Sequence, residues 1–123
     1  NWKKNILQIT NRVFEKRSEE TFLIWDFSGY SKFNTESVSL LQSEKSQLRW
    51  FWESSHFKKN VGDIILSEVL NEKKNSEFDA TDFGIRINSE NIDAHLEHIR
   101  TSGLAWKSSF QNDASDVQAL GND

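Results

Sequence analysis

Glu53 and His56 are the residues whose types and spacing could do chemistry. A carboxylate three positions before an imidazole, across a turn, can accept a hydrogen bond from one ring nitrogen. That bond fixes the tautomer and stabilises the protonated ring, leaving the other nitrogen to take a proton from a nucleophile. The pair lies in RWFWESSHFKKNVG, Arg49 to Gly62. Trp50, Phe51, Trp52 and Phe57 flank it and are expected to shield it from water, with Trp52 the one placed to face a substrate. Consecutive aromatics more often divide between core and surface, and the core reading carries more weight for the group as a whole. An isolated ExxH is also a common helix cap beside a surface glutamate, and the motif alone does not separate the two roles.

Two further positions belong to the same question. Asp26 closes the apolar run TFLIWDF, Thr21 to Phe27, and Ser28 follows it. Ligand sites in open α/β sheets gather outside the carboxyl ends of strands, so both are candidates to line a substrate site with Trp52. Ser28 lacks the glycines of a nucleophile elbow, and a turn role outweighs a catalytic one for it and for Asp26. His95 and His98 stand three apart in a helical stretch. A zinc site asks for three or four placed ligands, so a satisfied helical pair is the better reading. No metal and no organic cofactor is implied.

The elements that must position these groups follow from periodicity. Trp2, Ile6, Ile9, Val13 and Phe14 recur at helical steps, which predicts an amphipathic helix from Trp2 to about Arg17. KRSEE then breaks the pattern as a connection. Thr21 to Phe27 is nearly continuous in apolar residues, the pattern of a strand buried on both faces, as in a parallel sheet covered by helices. Tyr30 to Gln47 reads as an irregular loop with one helical turn near Val38. A helix is expected from His56 or Phe57 to about Glu72, capped by Ser54 or Ser55, with Val61, Ile64, Ile65, Leu66, Val69 and Leu70 inward. Gly62 inside it suggests a close backbone approach. NEKKNSE is a charged connection. Phe83 to Ile87 reads as a short second extended segment. Ser89 should cap a helix to about Thr101, interrupted at Gly103 and resumed from Leu104 to Phe110. A last short helix falls at Ser115 to Leu120.

Length and composition bound the rest. The chain has 123 residues, a net charge of −4, and nine Phe, five Trp and one Tyr. That is one domain or a piece of one, with residues 1–123 read as a single segment. A mild acidic balance without a clustered basic face argues against nucleic acid as partner. No apolar run is long enough to insert into a membrane. The sequence contains no Cys, Met or Pro. Without Cys there is no disulfide framework. Without Met the chain reads as a processed or excised segment, and it is expected to be the C-terminal part of a longer protein.

The order of parts resembles the last sequence block of the SGNH (GDSL-type) hydrolases. In that block an acid-x-x-His turn follows the final strand of a parallel sheet and leads into a helix containing Gly. The matching residues are Glu53, Ser54, Ser55, His56, Phe57 and Gly62. The phrases LIWDFSGYSKFNTE, LRWFWESSHFKKNVGDIIL and DFGIRINSENIDAHLEHIR are similar to the C-terminal part of a group of bacterial SGNH-like proteins of poorly defined function. The resemblance spans Trp2 to about Leu120. It implies an α/β class, the C-terminal portion of a three-layer parallel-sheet fold, helix-rich with one main strand at about 21–27 and a short second one at about 83–87. It implies a serine esterase or O-acyltransferase acting on a carbohydrate or cell-envelope ester, with His56 as base and Glu53 as its orienter. Here Glu replaces the family's usual Asp. The blocks holding the family's nucleophilic Ser and its oxyanion Gly and Asn do not occur in this chain, so the resemblance implies that this segment is inactive alone and needs the upstream part of its parent. The alternative from the residues alone is a non-catalytic, helix-rich binding domain.

Overall fold

The computed structural model describes residues 1–15, 22–37, 48–53, 55–70 and 82–120. The expected helical turn near Val38, the cap at Ser54 and the connections KRSEE and NEKKNSE lie outside them. The described elements are α1 (Trp2–Glu15), β1 (Ile24–Asp26), α2 (Lys59–Val69), β2 (Ile85–Ile87), α3 (Ile92–Ser109) and α4 (Gln111–Leu120). The chain is therefore helix-rich with a small sheet, a mixed α/β architecture.

The apolar run yields a shorter strand than its composition suggests. Only Ile24–Asp26 pairs, because its partner offers only three residues: Ile24 faces Ile87, Trp25 faces Arg86 and Asp26 faces Ile85. The pairing is antiparallel. The parallel sheet expected from the run is not present among the described strands. Phe22 and Leu23, read as buried strand, are exposed.

Alternation across the pair explains how the sheet is covered. Ile24, Asp26, Ile85 and Ile87 share one face. Leu7 of α1 and Ile92 and Leu96 of α3 form a core cluster with Ile87, against which Ile24 and Ile85 pack. The opposite face carries Trp25, which stacks on Phe27 with ring centroids 6.2 Å apart. Phe27 leads into a second cluster of Phe33, Trp50, Val61, Ile64 and Phe83. Two of these come from α2, so a second core lies beyond the strand ends, around Phe27 and Phe83, while Arg86 on the same sheet face as Trp25 is exposed.

Helix ends depart from expectation in instructive ways. The second helix starts at Lys59, not at His56 or Phe57, because residues up to Lys58 are committed to a hairpin. Its N-cap is Lys58, with no side-chain cap bond. The third helix starts after Asn91 rather than Ser89. The Ser89 hydroxyl accepts instead from Asn11 Nδ2 of α1 at 3.0 Å. Gly103 does not interrupt α3, which runs unbroken to Ser109. Its lack of a side chain admits Tyr30: a Cβ there would lie 2.9 Å from the ring. Tyr30 is continued by Trp106, with centroids 5.8 Å apart. Gly84 has φ +88°, a conformation that suits Gly, and a Cβ would sit 2.4 Å from the Phe27 ring. It brings the chain into β2 directly over Phe27, the residue that follows β1.

Candidate functional site

The Glu53–His56 pair sits at the tip of a small hairpin, and backbone bonds build that tip. Trp52 N–H donates to His56 O at 2.8 Å, and Lys58 N–H donates to Trp50 O at 2.8 Å. Phe51 and Phe57 face each other across it as an antiparallel bridge. The stem is clamped by groups outside the motif. The Glu36 carboxylate accepts Arg49 N–H at 2.5 Å and Trp50 N–H at 3.0 Å. Lys58 Nζ donates to Leu48 O.

Within the tip, Glu53 Oε1 meets His56 Nδ1 directly. Ser55 N–H donates to Glu53 Oε2 at 3.0 Å and Ser55 Oγ donates to the same oxygen at 2.9 Å. Ser55, expected as a helix cap, is thus a brace for the carboxylate. The His56 contact and then the Ser55 bonds hold the Glu53 carboxyl down at about 2, well below its ordinary range. His56 Nε2 is the nitrogen left facing outward, without a partner among the described residues. The expected contact between Glu53 and His56 forms.

The expected shielding does not. The His56 side chain is 78% exposed and that of Glu53 50%. Trp50 turns into the core, edge-on to Phe33 at 4.8 Å. Phe51 is half-buried, while Trp52 and Phe57 stay exposed.

Phe57, Trp52 and Glu53 line a cleft of about 850 Å³. Phe27, Phe33 and Phe83 also line it. Ser28 lies on its wall, as the position after a strand end suggests, so Ser28, Trp52 and Glu53 share one concavity. Asp26 and His56 are not among the lining residues.

Asp26 belongs to a buried centre that sequence reasoning did not foresee. Its side chain is 8% exposed. Lys3 Nζ of α1 donates to Asp26 Oδ2 at 2.5 Å, and His95 Nε2 of α3 lies 2.8 Å from the same oxygen. Ser28 N–H donates to Asp26 Oδ1 at 3.0 Å, and Lys3 Nζ also donates to Ser28 Oγ at 2.5 Å. Burial pushes the Asp26 carboxyl up, but the Lys3, His95 and Ser28 hydrogen bonds together outweigh it and hold the group at about 2. One carboxylate therefore ties α1 and α3 to the end of β1. His95 is the satisfied helical histidine expected, while His98 is exposed, with Ser102 Oγ 3.5 Å from its Nε2. No group of three or more potential metal ligands occurs among the described residues, and no described helix is long and apolar enough to cross a membrane.

Lys3 escaped sequence reading because it falls on the polar side of the helical pattern. The one available signal was an acid, Asp26, inside an apolar run, which calls for a buried cation. Comparison with protein-family models, curated proteins and solved structures finds no match. The reading of the site therefore stands on its geometry and on the sequence resemblance.

Proposed function

We propose that this chain is the C-terminal portion of an SGNH-like serine esterase or O-acyltransferase, with His56 as general base and Glu53 as the residue that orients it. The single observation that carries this reading is the contact of Glu53 with His56 Nδ1, which leaves Nε2 outward. That is the arrangement in which an imidazole can take a proton from a hydroxyl and later return it to a leaving group. The nucleophilic Ser and the oxyanion donors would come from the upstream part of the parent, so the segment alone is inactive in this proposal. The substrate would be an ester of a carbohydrate or of the cell envelope, and the parent a bacterial envelope protein.

The sheet is compatible with a larger three-layer fold. Helices α1 and α3 cover the face of β1 that carries Ile24, and its edge opposite β2 has no strand partner among the described residues. A parallel strand from upstream would fit there. The test is covalent labelling of the full-length parent with a serine-reactive fluorophosphonate, wild type beside His56→Ala. Labelling that vanishes in the variant is the expected result. A folded wild-type parent that takes no label would overturn the proposal.

A second reading has one observation in its favour. The chain builds its own sheet from Ile24–Asp26 and Ile85–Ile87, which an independently folding, non-catalytic binding domain requires. In that case His56→Ala changes neither labelling nor binding.

A further inference from the structure

We propose that Glu36 is the positioning residue of the Glu53–His56 pair: its carboxylate ties the hairpin that carries the pair to the end of β1. The inference deepens the hydrolase reading by adding a residue to the same site, and it rests on that reading for the reaction itself. The positioning is a property of the folded chain and needs no nucleophile, so the two can fail separately.

The hairpin needs an anchor. Trp52, Glu53, Ser55, His56 and Phe57 are all exposed, so packing does not hold its tip. A lone two-stranded hairpin is marginally stable in water. Among the described residues its strands are joined by two backbone bonds, Trp52 N–H to His56 O and Lys58 N–H to Trp50 O. The first strand enters through Arg49 and Trp50, whose successive N–H groups meet one carboxylate. Glu36 Oε1 accepts Arg49 N–H at 2.5 Å and Glu36 Oε2 accepts Trp50 N–H at 3.0 Å. With both oxygens engaged the clamp fixes direction as well as distance, and a carboxylate makes stronger bonds of this kind than a neutral acceptor. Lys58 Nζ adds a tie from the second strand by donating to Leu48 O, and lies 4.8 Å from the Trp52 ring centroid.

Glu36 is itself rooted in the body of the molecule. It follows a turn in which Asn34 N–H and Thr35 N–H both donate to Ser31 O at 3.0 Å. Phe33 in that turn is 1% exposed, and Asn34 Nδ2 donates to Phe27 O at 2.9 Å. Phe27 directly follows β1. Contacts therefore lead from the strand end through Glu36 to the hairpin stem. Thirteen positions separate Glu36 from Arg49, so the link is made by a side chain and not by chain adjacency.

The experiment is carbon NMR of the Glu53 carboxyl against pH in the folded 123-residue chain, with amide hydrogen exchange at Trp52 beside it. In wild type that carboxyl titrates at about 2. Glu36→Ala should raise it toward the ordinary 4.5, because a loosened stem lets Glu53 and His56 part. Exchange at Trp52 should speed up about tenfold or more, as expected from losing a hydrogen bond to a charged group. Glu36→Gln keeps the shape and one acceptor oxygen and should fall between the two, which decides the question if the alanine variant fails to fold. Leu7→Ala weakens the other core cluster and should leave the Glu53 titration where it is, which separates positioning from general loosening. A folded Glu36 variant whose Glu53 still titrates at about 2 overturns the proposal, and so does an equal rise in Leu7→Ala. A raised Glu53 value in the Glu36 variants, with a parent that takes no fluorophosphonate, keeps the positioning role and removes the hydrolase. Labelling of the parent with Glu53 unmoved by either variant does the reverse.

Discussion

Replacing Asp26 is expected to loosen the whole molecule, and the size of the loss can be worked from its surroundings. Among the described residues Asp26 is the carboxylate that contacts both Lys3 and His95, and the side chains of Lys3, Asp26 and His95 are 10%, 8% and 8% exposed. Ionised Asp26 is favoured in the fold by the gap between its ordinary value of 3.8 and about 2, which converts to about 2 kcal/mol. Asp26→Asn keeps the shape and an acceptor for Ser28 N–H but loses that charge, so it should cost about 2 kcal/mol. Asp26→Ala strands the buried lysine as well and should cost about 3–5 kcal/mol. The assay is urea unfolding of wild type and both variants from neutral pH down to pH about 2. The folded value lies below the unfolded one, so the stabilisation is complete above the unfolded value. It is lost as pH falls through the folded value. The gap between wild type and Asp26→Asn should therefore close across that acidic window. A gap under about 0.5 kcal/mol at neutral pH, or one that persists undiminished at the acidic end, would refute the assignment of Asp26 as the ionised centre.

Other expectations follow from single contacts. In His56→Ala the Glu53 carboxyl should move back up from about 2 toward 4.5, since His56 is the largest cause of its lowering; carbon NMR of the carboxyl against pH reads this directly. Gly84→Ala should destabilise by more than about 1 kcal/mol, because it adds a Cβ 2.4 Å from the Phe27 ring at φ +88°; a thermal melt measures it. Gly103→Ala gains helix propensity worth about 1 kcal/mol but drives a methyl to 2.9 Å from Tyr30. Its melting temperature should fall in wild type and rise when Tyr30 is also cut to Ala. Trp50→Ala removes the edge contact with Phe33 from the core and should cost about 3–5 kcal/mol in urea unfolding.

What could be read in advance depended on how local the signal was. The helices α1, α2 and α3 announce themselves through apolar spacing, but not always by the right face. Trp2, Ile6, Ile9 and Val13 of α1, read as inward, are exposed, and Lys3 and Leu7 are buried instead, while Leu66, Val69 and Leu70 of α2 are exposed as well. The ExxH contact spans only four residues. The Ile24–Asp26 strand was legible as a strand but not as an antiparallel one. Its partner is three residues long and lies about sixty positions away, too short to show alternation. The caps failed for a related reason. Ser55 and Ser89 are good capping residues, but each has a competing partner, Glu53 and Asn11 respectively. Gly103 looked like a helix breaker because its use, a flat seat for Tyr30, is visible only once residues some seventy positions apart are together. Lys3 was assigned to the solvent side for want of any local sign of Asp26.

The exposure of the Glu53–His56 pair bears on what the proposed chemistry would require. In water an imidazole and a carboxylate gain little from each other, since solvent screens the charge that develops on the ring. A base that works on a serine hydroxyl is held where water is excluded and the second ring nitrogen meets the nucleophile. This hairpin meets the orientation requirement and leaves the other two unmet. The same upstream surface that supplied the serine would have to cover Nε2, and the exposed Trp52 beside it offers an apolar flank for such a contact. Covering and chemistry are then one event. The accessibility of His56 to an imidazole-modifying reagent such as diethyl pyrocarbonate should therefore be high in the isolated segment and fall sharply in the full-length parent. Equal modification rates in the two would show that nothing covers the pair, and would leave it a braced hairpin tip.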